Sequence, residues 1–564
     1  SAQFKASISG VSQFWAGTNS GYHQVKAIES DTPSNLRASS NGADHIVIAQ
    51  ETFKTQAETL SNFRVSRGLR GVTVDVQDIY DEFGFGIVGP KPIRDFLAYA
   101  YATWKPPAPS FVVLFGDGHY DPKDYLGFGR TSFIPPYLLP VDPWIGETAA
   151  DNRYVTFVGE DTLPDMMIGR ISVNTTSEAT AYVNKIMTYE QSPISGSWQQ
   201  QVLAVADNTD SGGNFPYLSN TVLDCCLTYP YTAEKVYYGV THTTISGARN
   251  AILTGINDGK LLMNYYGHGS TTSWASESLF TTSSVDSLQN GGKLPVVLAM
   301  TCLEGYFINP QPYGSNREAL GEVVTRADGK GAVASWSPTG QGVASGHIHL
   351  SRGFYNSYFT NLKDNLGTAI LTGKLYLWNV MPGSDLLDTY TLFGDPAMNL
   401  ARPIKSMHDS YEVDEDKTLS VNIPGVLSND IDAEGKQLTV IKLSDADNGS
   451  LTLNNNGSFT YIPNPNYFGM DQFTYKAYNG DLYSNVASVQ ITVHPVNDPP
   501  VAVDNNYNAF QNITMFMSAP GVLKNDYDVD GGSLTAVLVS NPSNGSLLLN
   551  ANGSLRYTPD PGFN

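Results

Sequence analysis

Two stretches decide the fold: Leu261-Leu262-Met263-Asn264-Tyr265-Tyr266-Gly267-His268-Gly269-Ser270, and Pro295-Val296-Val297-Leu298-Ala299-Met300-Thr301-Cys302-Leu303-Glu304-Gly305. Each opens with a mainly apolar run too short for a packed helix and too continuous for a strand with one wet face. Such runs read as strands covered on both sides. Each run then breaks into a glycine-flanked turn, one holding His268 and the other Cys302. In an open parallel sheet the carboxyl ends of neighbouring strands form the ligand-binding crevice. The imidazole and the thiol are therefore expected to face one cleft.

The same pattern extends outward. Further apolar runs are His45-Ile46-Val47-Ile48-Ala49, Val72-Thr73-Val74-Asp75-Val76, Phe111-Val112-Val113-Leu114-Phe115 and Gln201-Val202-Leu203-Ala204-Val205. Between them lie helical stretches, such as Pro92 to Ala100 with proline in the first turn and another at about 177–190. Strands alternating with helices predict an α/β fold with open, mostly parallel sheets. The Pro- and Ser-bearing stretch from Gln191 to Ser197 divides it near 195, giving subdomain A at 41–195 and subdomain B, with the Cys–His site, at 196–403. Segment 1–40 reads either as an N-terminal β segment or as the remnant of a preceding domain.

Beyond Arg402 the character changes to short β runs, Asn-Gly turns and acidic clusters. Pro424-Gly425-Val426-Leu427 recurs as Pro520-Gly521-Val522-Leu523, and Asn448-Gly449-Ser450 as Asn544-Gly545-Ser546, at a constant offset of 544 − 448 = 96. That period predicts all-β sandwich repeats of the immunoglobulin or cadherin kind at 404–498 and 499–564. The second copy is expected to be incomplete, because residue 564 matches 468 of the first, which goes on through two more strand-like runs.

With 564 residues the chain exceeds what a single core organises. Its formal charge of −21 argues against nucleic acid and anionic membrane partners. Residues 404–564 carry 7 Lys/Arg and 18 Asp/Glu, an acidity that suits divalent-cation sites. The expected calcium ligands are Asp430 and Asp432 in one copy and Asp526, Asp528 and Asp530 in the other, with solvated acidic turns as the alternative. Only three cysteines occur; Cys225 and Cys226 are adjacent, which strains a disulfide between them, so no disulfide framework is legible. No apolar run reaches the roughly 20 residues of a membrane span.

The pairing of Cys302 with His268 has a chemical rationale. A thiolate is the nucleophile, and an adjacent imidazole takes the thiol proton and returns it to a leaving amine. The amide of Cys302 and one near Gly269 are candidate donors to the oxyanion of a tetrahedral intermediate, with Gly267 letting the backbone approach substrate. Taken singly, a strand-end cysteine is more often a buried small hydrophobe and a Gly-His-Gly turn often structural; together on adjacent strand ends they favour catalysis. No metal-ligand spacing competes, so no cofactor is expected for the chemistry.

The runs Tyr265-Tyr266-Gly267-His268-Gly269-Ser270 and Ala299-Met300-Thr301-Cys302 resemble the histidine and cysteine motifs of the gingipain family of cysteine peptidases (C25), in the caspase-like clan. Asn41-Gly42-Ala43-Asp44, Leu114-Phe115-Gly116-Asp117-Gly118, Met167-Ile168-Gly169-Arg170 and Phe393-Gly394-Asp395-Pro396 extend the likeness over about 41–402. The resemblance implies a two-part caspase-like domain, an endopeptidase acting through an acyl-enzyme on Cys302, and an acidic residue orienting His268. Asp207 matches that acid, with Asp210 as the close alternative and a turn-capping role as the bland one. Relatives that cut after basic residues hold an acidic residue in the specificity pocket, whereas Gly212-Gly213-Asn214-Phe215-Pro216-Tyr217 has no carboxylate. Strict Arg or Lys preference is therefore not expected. The stretch Ser335-Trp336-Ser337-Pro338-Thr339-Gly340 is expected to form a loop walling the pocket, with Ser335 and Trp336 at the substrate, unless Trp336 packs in the core. The repeats resemble bacterial cadherin-like surface modules, implying a secreted or cell-surface bacterial protein with protein or peptide substrates, no transmembrane segment, and attachment through the repeats. A sortase-like transpeptidase and a catalytically silent adhesin or scaffold are the alternatives.

Overall fold

The computed structural model describes residues 34–191, 194, 196–310, 318–363, 365–401, 404–432 and 435–563. The expectation for segment 1–40 falls mostly outside these residues, and 34–40 contain no strand.

Ten strands build the main sheet of the α/β domain: β1 His45–Ala49, β2 Gly71–Asp75, β3 Phe111–Phe115, β4 Met167–Ile171, β5 Gln201–Ala206, β6 Thr232–Tyr237, β7 Leu262–Tyr266, β8 Val296–Met300, β9 Ala334–Pro338 and β10 Tyr390–Phe393. They form one sheet in the order β2-β1-β3-β4-β10-β9-β8-β7-β5-β6. Every neighbouring pair is parallel except β9 and β10, which run antiparallel. The chain thus returns from the second half to lay β10 between the halves, and the two halves point in opposite directions. The expected open, mostly parallel α/β architecture is present, as one continuous sheet, and all four runs quoted for the first half and the start of the second are strands to within a residue or two.

Crossover helices follow from local chemistry. Helix α1 is Lys54–Ser66; α2, Val76–Gly84, starts at Asp75, whose carboxylate accepts from Gln77 N–H; α3, Pro90–Thr103, carries proline in its first turn. Helix α4, Thr176–Gln191, closes the first half; in the second, α5 is Phe215–Cys226 and α6 Ile245–Asp258, capped by the Asn214 and Thr244 side chains. One continuous apolar core lies on the α1, α4 and α5 face and runs beneath both halves, from Val47 and Val113 to Val202, Leu262 and Leu298. The other face has two separate cores, one under α2 and α3 and one under α6.

Charge also ties the halves. Asp395, fully buried just after β10, accepts from Arg64 Nε of α1 at 2.7 Å and pairs with His45 Nε2 of β1 at 3.1 Å, while Arg64 also reaches Glu190 of α4 at 2.8 Å. Although burial opposes ionisation, the Arg64 and His45 partners hold the Asp395 carboxyl well below its usual range.

The first repeat is a two-sheet sandwich. Strands Asp409–Asp414, Ala487–His494, Gly469–Tyr478 and Thr439–Ser444 face Leu419–Val421, Phe459–Pro463 and Gly449–Leu453. In the second repeat Met515–Met517, Leu555–Pro559 and Gly545–Leu549 reproduce the three-stranded sheet, each 96 residues on, as at 555 − 459. The acidic residues expected to bind calcium are engaged with protein donors. Asp430 accepts from Met407 N, Ser406 Oγ and Tyr475 OH; Asp432 accepts from Lys436 N and Asn479 Nδ2. In the second copy Asp526 accepts from Val503 N, Asp528 from Asp530 N, and Asp530 from Asp498 N. Among the described residues no group of three or more His, Cys, Asp or Glu is gathered to hold a metal ion, while Asp528 and Asp530 lie close enough to Asp416, Glu415 and Asp498 to raise the Asp498 carboxyl.

Removing Asp395 strands the buried Arg64 beside Glu190 alone. Asp395→Ala is expected to cost about 3–5 kcal/mol, read from the urea midpoint of the tryptophan-fluorescence transition; an unchanged midpoint would exclude the cluster as a tie between the halves.

Candidate active site

The site is set by sheet register. Strands β7 and β8 are parallel neighbours with Tyr266 opposite Met300. His268 and Cys302 each lie two residues beyond those paired ends, so both emerge from the sheet at the same level. The two turns then close on each other. A Cβ on Gly269 would fall 2.3 Å from Thr301 Oγ1 and 2.9 Å from the Cys302 carbonyl oxygen, so only glycine permits the approach. The N–H of Gly267 instead donates to the Met300 carbonyl at 3.4 Å. A Cβ there would also strike Tyr265 OH and Asp207.

The His268 turn is tightly held. Tyr265 OH and Ala275 N–H both donate to the His268 carbonyl at 2.7 Å. The imidazole meets the Phe215 ring edge-on, with centroids 5.3 Å apart, and lies over Gly212, where any Cβ would be 2.7 Å from Cε1. Its Nε2 faces Asp210 Oδ2 at 3.0 Å. Asp207, the residue first expected to orient the ring, is buried at the end of β5 and accepts the backbone N–H groups of Asn208 (2.8 Å) and His268 (3.4 Å). Asp207 therefore holds the turn and Asp210 holds the ring. The reason is the backbone: Asp210 and Gly213 exchange bonds in a tight turn after β5 that swings Asp210 over the imidazole. With Nε2 engaged by a carboxylate, the proton-accepting lone pair belongs to Nδ1.

Cys302 is half-buried and is the one free cysteine among the described residues. Its sulfur lies beside Gly342, 3.4 Å from the amide nitrogen and 3.7 Å from the carbonyl oxygen. Burial pushes the thiol above its ordinary value, the Gly342 N–H pulls it down, and the Asp142 carboxylate raises it again. A thiol so placed needs a base to become a nucleophile. The next residue, Leu303, has φ of 58°, a left-handed conformation that costs of order 1 kcal/mol or more for a non-glycine and that clusters at functional turns.

Several contributors carry no obvious sequence signal. Asp142, in the hairpin of 138–149, accepts Gln341 N–H on one oxygen and Trp144 and Ile145 N–H on the other, tying the first half to the loop beside Cys302. His347 backs that loop: a Cβ on Gly342 would come within 2.6 Å of its Nε2. Burial holds the His347 imidazole down at about 3, so it stays neutral. The Gly340-Gln341-Gly342 run was the one legible hint.

Two expected site residues lie elsewhere. Ala334–Pro338 is strand β9, not a loop, and is buried throughout. Trp336 is fully buried against Phe354 and Tyr390, and Ser335 bonds Ser337 Oγ at 2.7 Å. Neither reaches the cleft. Cys225 and Cys226 are joined in a disulfide at the end of α5, contrary to the reading of their adjacency.

The sequence model of "Peptidase family C25" matches residues 38–401, and that of "Bacterial cadherin-like domain" matches 401–495 and 497–564. Gingipain R2 of Porphyromonas gingivalis is 26% identical over 445 residues, covering 72% of this chain and 55% of its own length. Gingipain R1 of the same species is 27% identical over 371 residues, covering 63% of this chain and 34% of its own. The crystal structure of the Arg-specific cysteine proteinase gingipain R superposes with a TM-score of 0.53 at 22% identity, over 82% of this chain and all of that one, a likeness of fold. The chain thus spans about half the length of gingipain R2.

The two aspartates separate experimentally. Asp207→Ala leaves two backbone N–H groups without their acceptor and is expected to lower the unfolding free energy by about 1–3 kcal/mol. Asp210→Ala, at a half-exposed position, is expected to change it by under about 0.5 kcal/mol. Urea denaturation of both variants checks the assignment, and equal losses would refute it.

Proposed function

The chain belongs to peptidase family C25, and from that premise we propose that it is a cysteine endopeptidase working through a Cys302 acyl-enzyme. The observation that carries this reading is the β7–β8 register, which brings the His268 and Cys302 turns into contact. In the proposed cycle His268 takes the Cys302 proton on Nδ1 while Asp210 fixes the tautomer from Nε2. The thiolate attacks the scissile carbonyl, and the imidazolium returns the proton to the leaving amine. Water, deprotonated by the same imidazole, then releases the acyl group. Gly342 N–H, 3.4 Å from the sulfur, stabilises the thiolate before attack.

The substrate is a protein or peptide without an obligatory basic residue at the cut. In support, Gly212 to Tyr217 contains no carboxylate, Asp210 is engaged with His268, and Asp142 is buried on three backbone amides. The protein works outside the bacterial cell or at its surface. The Cys225–Cys226 disulfide suits an oxidising compartment, and the cadherin-like repeats suit surface attachment. Among the described residues no helix is long and apolar enough to cross a membrane.

On a diverse peptide library the protein should cleave at several residue types without confinement to Arg or Lys. Cys302→Ala should abolish cleavage, and Asp210→Ala should lower kcat by about 10–100-fold, the size of a weakened general base. Without reductant, iodoacetamide should modify Cys302 alone and stop turnover. Cleavage that survives Cys302→Ala would overturn the mechanism; cuts only after Arg or Lys would overturn the specificity.

A further inference from the structure

The turn after Cys302 carries a buried acid that the proposed cycle does not use. Glu304 is fully buried beneath the cleft. Its Oε2 accepts Trp274 Nε1–H at 2.8 Å and its Oε1 accepts Ser337 Oγ–H at 3.5 Å. Trp274 belongs to the His268 turn: it bridges Gly269 in antiparallel pairing and stacks on Tyr265, 4.4 Å between centroids and 5° from parallel. Tyr265 in turn holds the His268 carbonyl. On the other side, the Glu304 carbonyl accepts Gly321 N–H and the next residue, Gly305, donates to Pro338 O at 2.8 Å. One side chain thus joins the turn that bears the base, the turn that bears the nucleophile, and the end of β9.

We infer that Glu304 is a positioning residue, holding the His268 turn against Cys302 through Trp274 so that the imidazole can take the thiol proton. A carboxyl in a wholly buried place is costly to keep unless it is hydrogen-bonded and structurally needed. Leucine or methionine would fill the space without that penalty, but neither accepts a hydrogen bond from indole. Burial pushes the Glu304 carboxyl up to about 7, with the Trp274 and Ser337 donors pulling the other way. The Tyr265 and Tyr390 hydroxyls are the titratable groups that sense it from β7 and β10. The native state therefore binds this proton more tightly than the unfolded chain does, and stability falls as pH rises from about 4.5 to about 7.

This inference rests on the Cys302–His268 reading, and the test keeps the two apart. The rate of iodoacetamide alkylation at Cys302 is measured at neutral pH in the full chain, with and without His268→Ala, in four backgrounds: unchanged, Glu304→Gln, Glu304→Ala and Trp274→Phe. Circular dichroism confirms folding. In the unchanged background His268→Ala should slow alkylation by about tenfold or more; no slowing there would sink the catalytic reading itself. In Glu304→Ala the same change should have under about a twofold effect, because the base is no longer held to the thiol. Glu304→Gln, which still accepts from Trp274, should restore the dependence on His268. It should also flatten the fall of Tm between pH 4.5 and 7, where Glu304 exchanges its proton. Trp274→Phe keeps a ring on Tyr265, loses the indole donor, and should behave like Glu304→Ala; it carries the test alone if Glu304→Ala does not fold. A His268 effect of undiminished size in Glu304→Ala or Trp274→Phe would overturn the positioning role while leaving the Cys302–His268 reading intact.

Discussion

Everything chemical in this protein depends on two parallel strands leaving the sheet in step. Tyr266 lies opposite Met300, and an equal advance of two residues delivers an imidazole and a thiol to the same edge. The register of a strand buried on both faces is strongly specified, because a slip by one residue would exchange its two faces between different cores. Leu262, Tyr266 and Leu298 pack into one core and Met263, Tyr265 and Ala299 into the other. The alignment of the proposed catalytic pair is thus a by-product of hydrophobic burial, and the glycines at 267 and 269 let the turns exploit it without a clash.

The remainder of the domain supplies what two strand ends cannot. A half-buried thiol is raised by its surroundings, so the site must add a donor to the sulfur and a fixed orientation to the base. The donor comes from Gly342, beyond β9, and the orientation from Asp210, beyond β5. Asp142 bolts the first half of the sheet onto the Gly342 loop. This gives the first half a part in a site whose proposed nucleophile and base both sit in the second. The halves are kept in place by the shared apolar core on one face and by Asp395 with Arg64, His45 and Glu190 within the interior.

Much of this was legible from residues alone, and the failures have physical causes. Apolar runs such as Phe111 to Phe115 announce buried strands because nothing else accommodates five consecutive apolar residues so briefly. Ser335-Trp336-Ser337-Pro338 defeated the same rule, since serine and proline read as loop. In the structure the two serine hydroxyls satisfy each other at 2.7 Å, and that pairing makes a polar strand tolerable in the interior. Asp207 and Asp210 could not be told apart, because sequence spacing does not reveal that the Asp210–Gly213 turn folds back over the ring. Asp430 answers Tyr475 and two other protein donors, a pairing across 45 residues that no local pattern reveals. The adjacent cysteines misled because spacing constrains a disulfide without forbidding it.

A buried acid near a nucleophile is ordinarily a liability, since a second negative charge disfavours the thiolate. Four carboxylates near the pair each serve a backbone amide, a ring nitrogen or an indole: Asp207 for the His268 amide, Asp210 for Nε2, Asp142 for Gln341, Glu304 for Trp274. Each of these four is thereby committed to shape, which supports the proposal of a substrate without an obligatory basic residue at the cut.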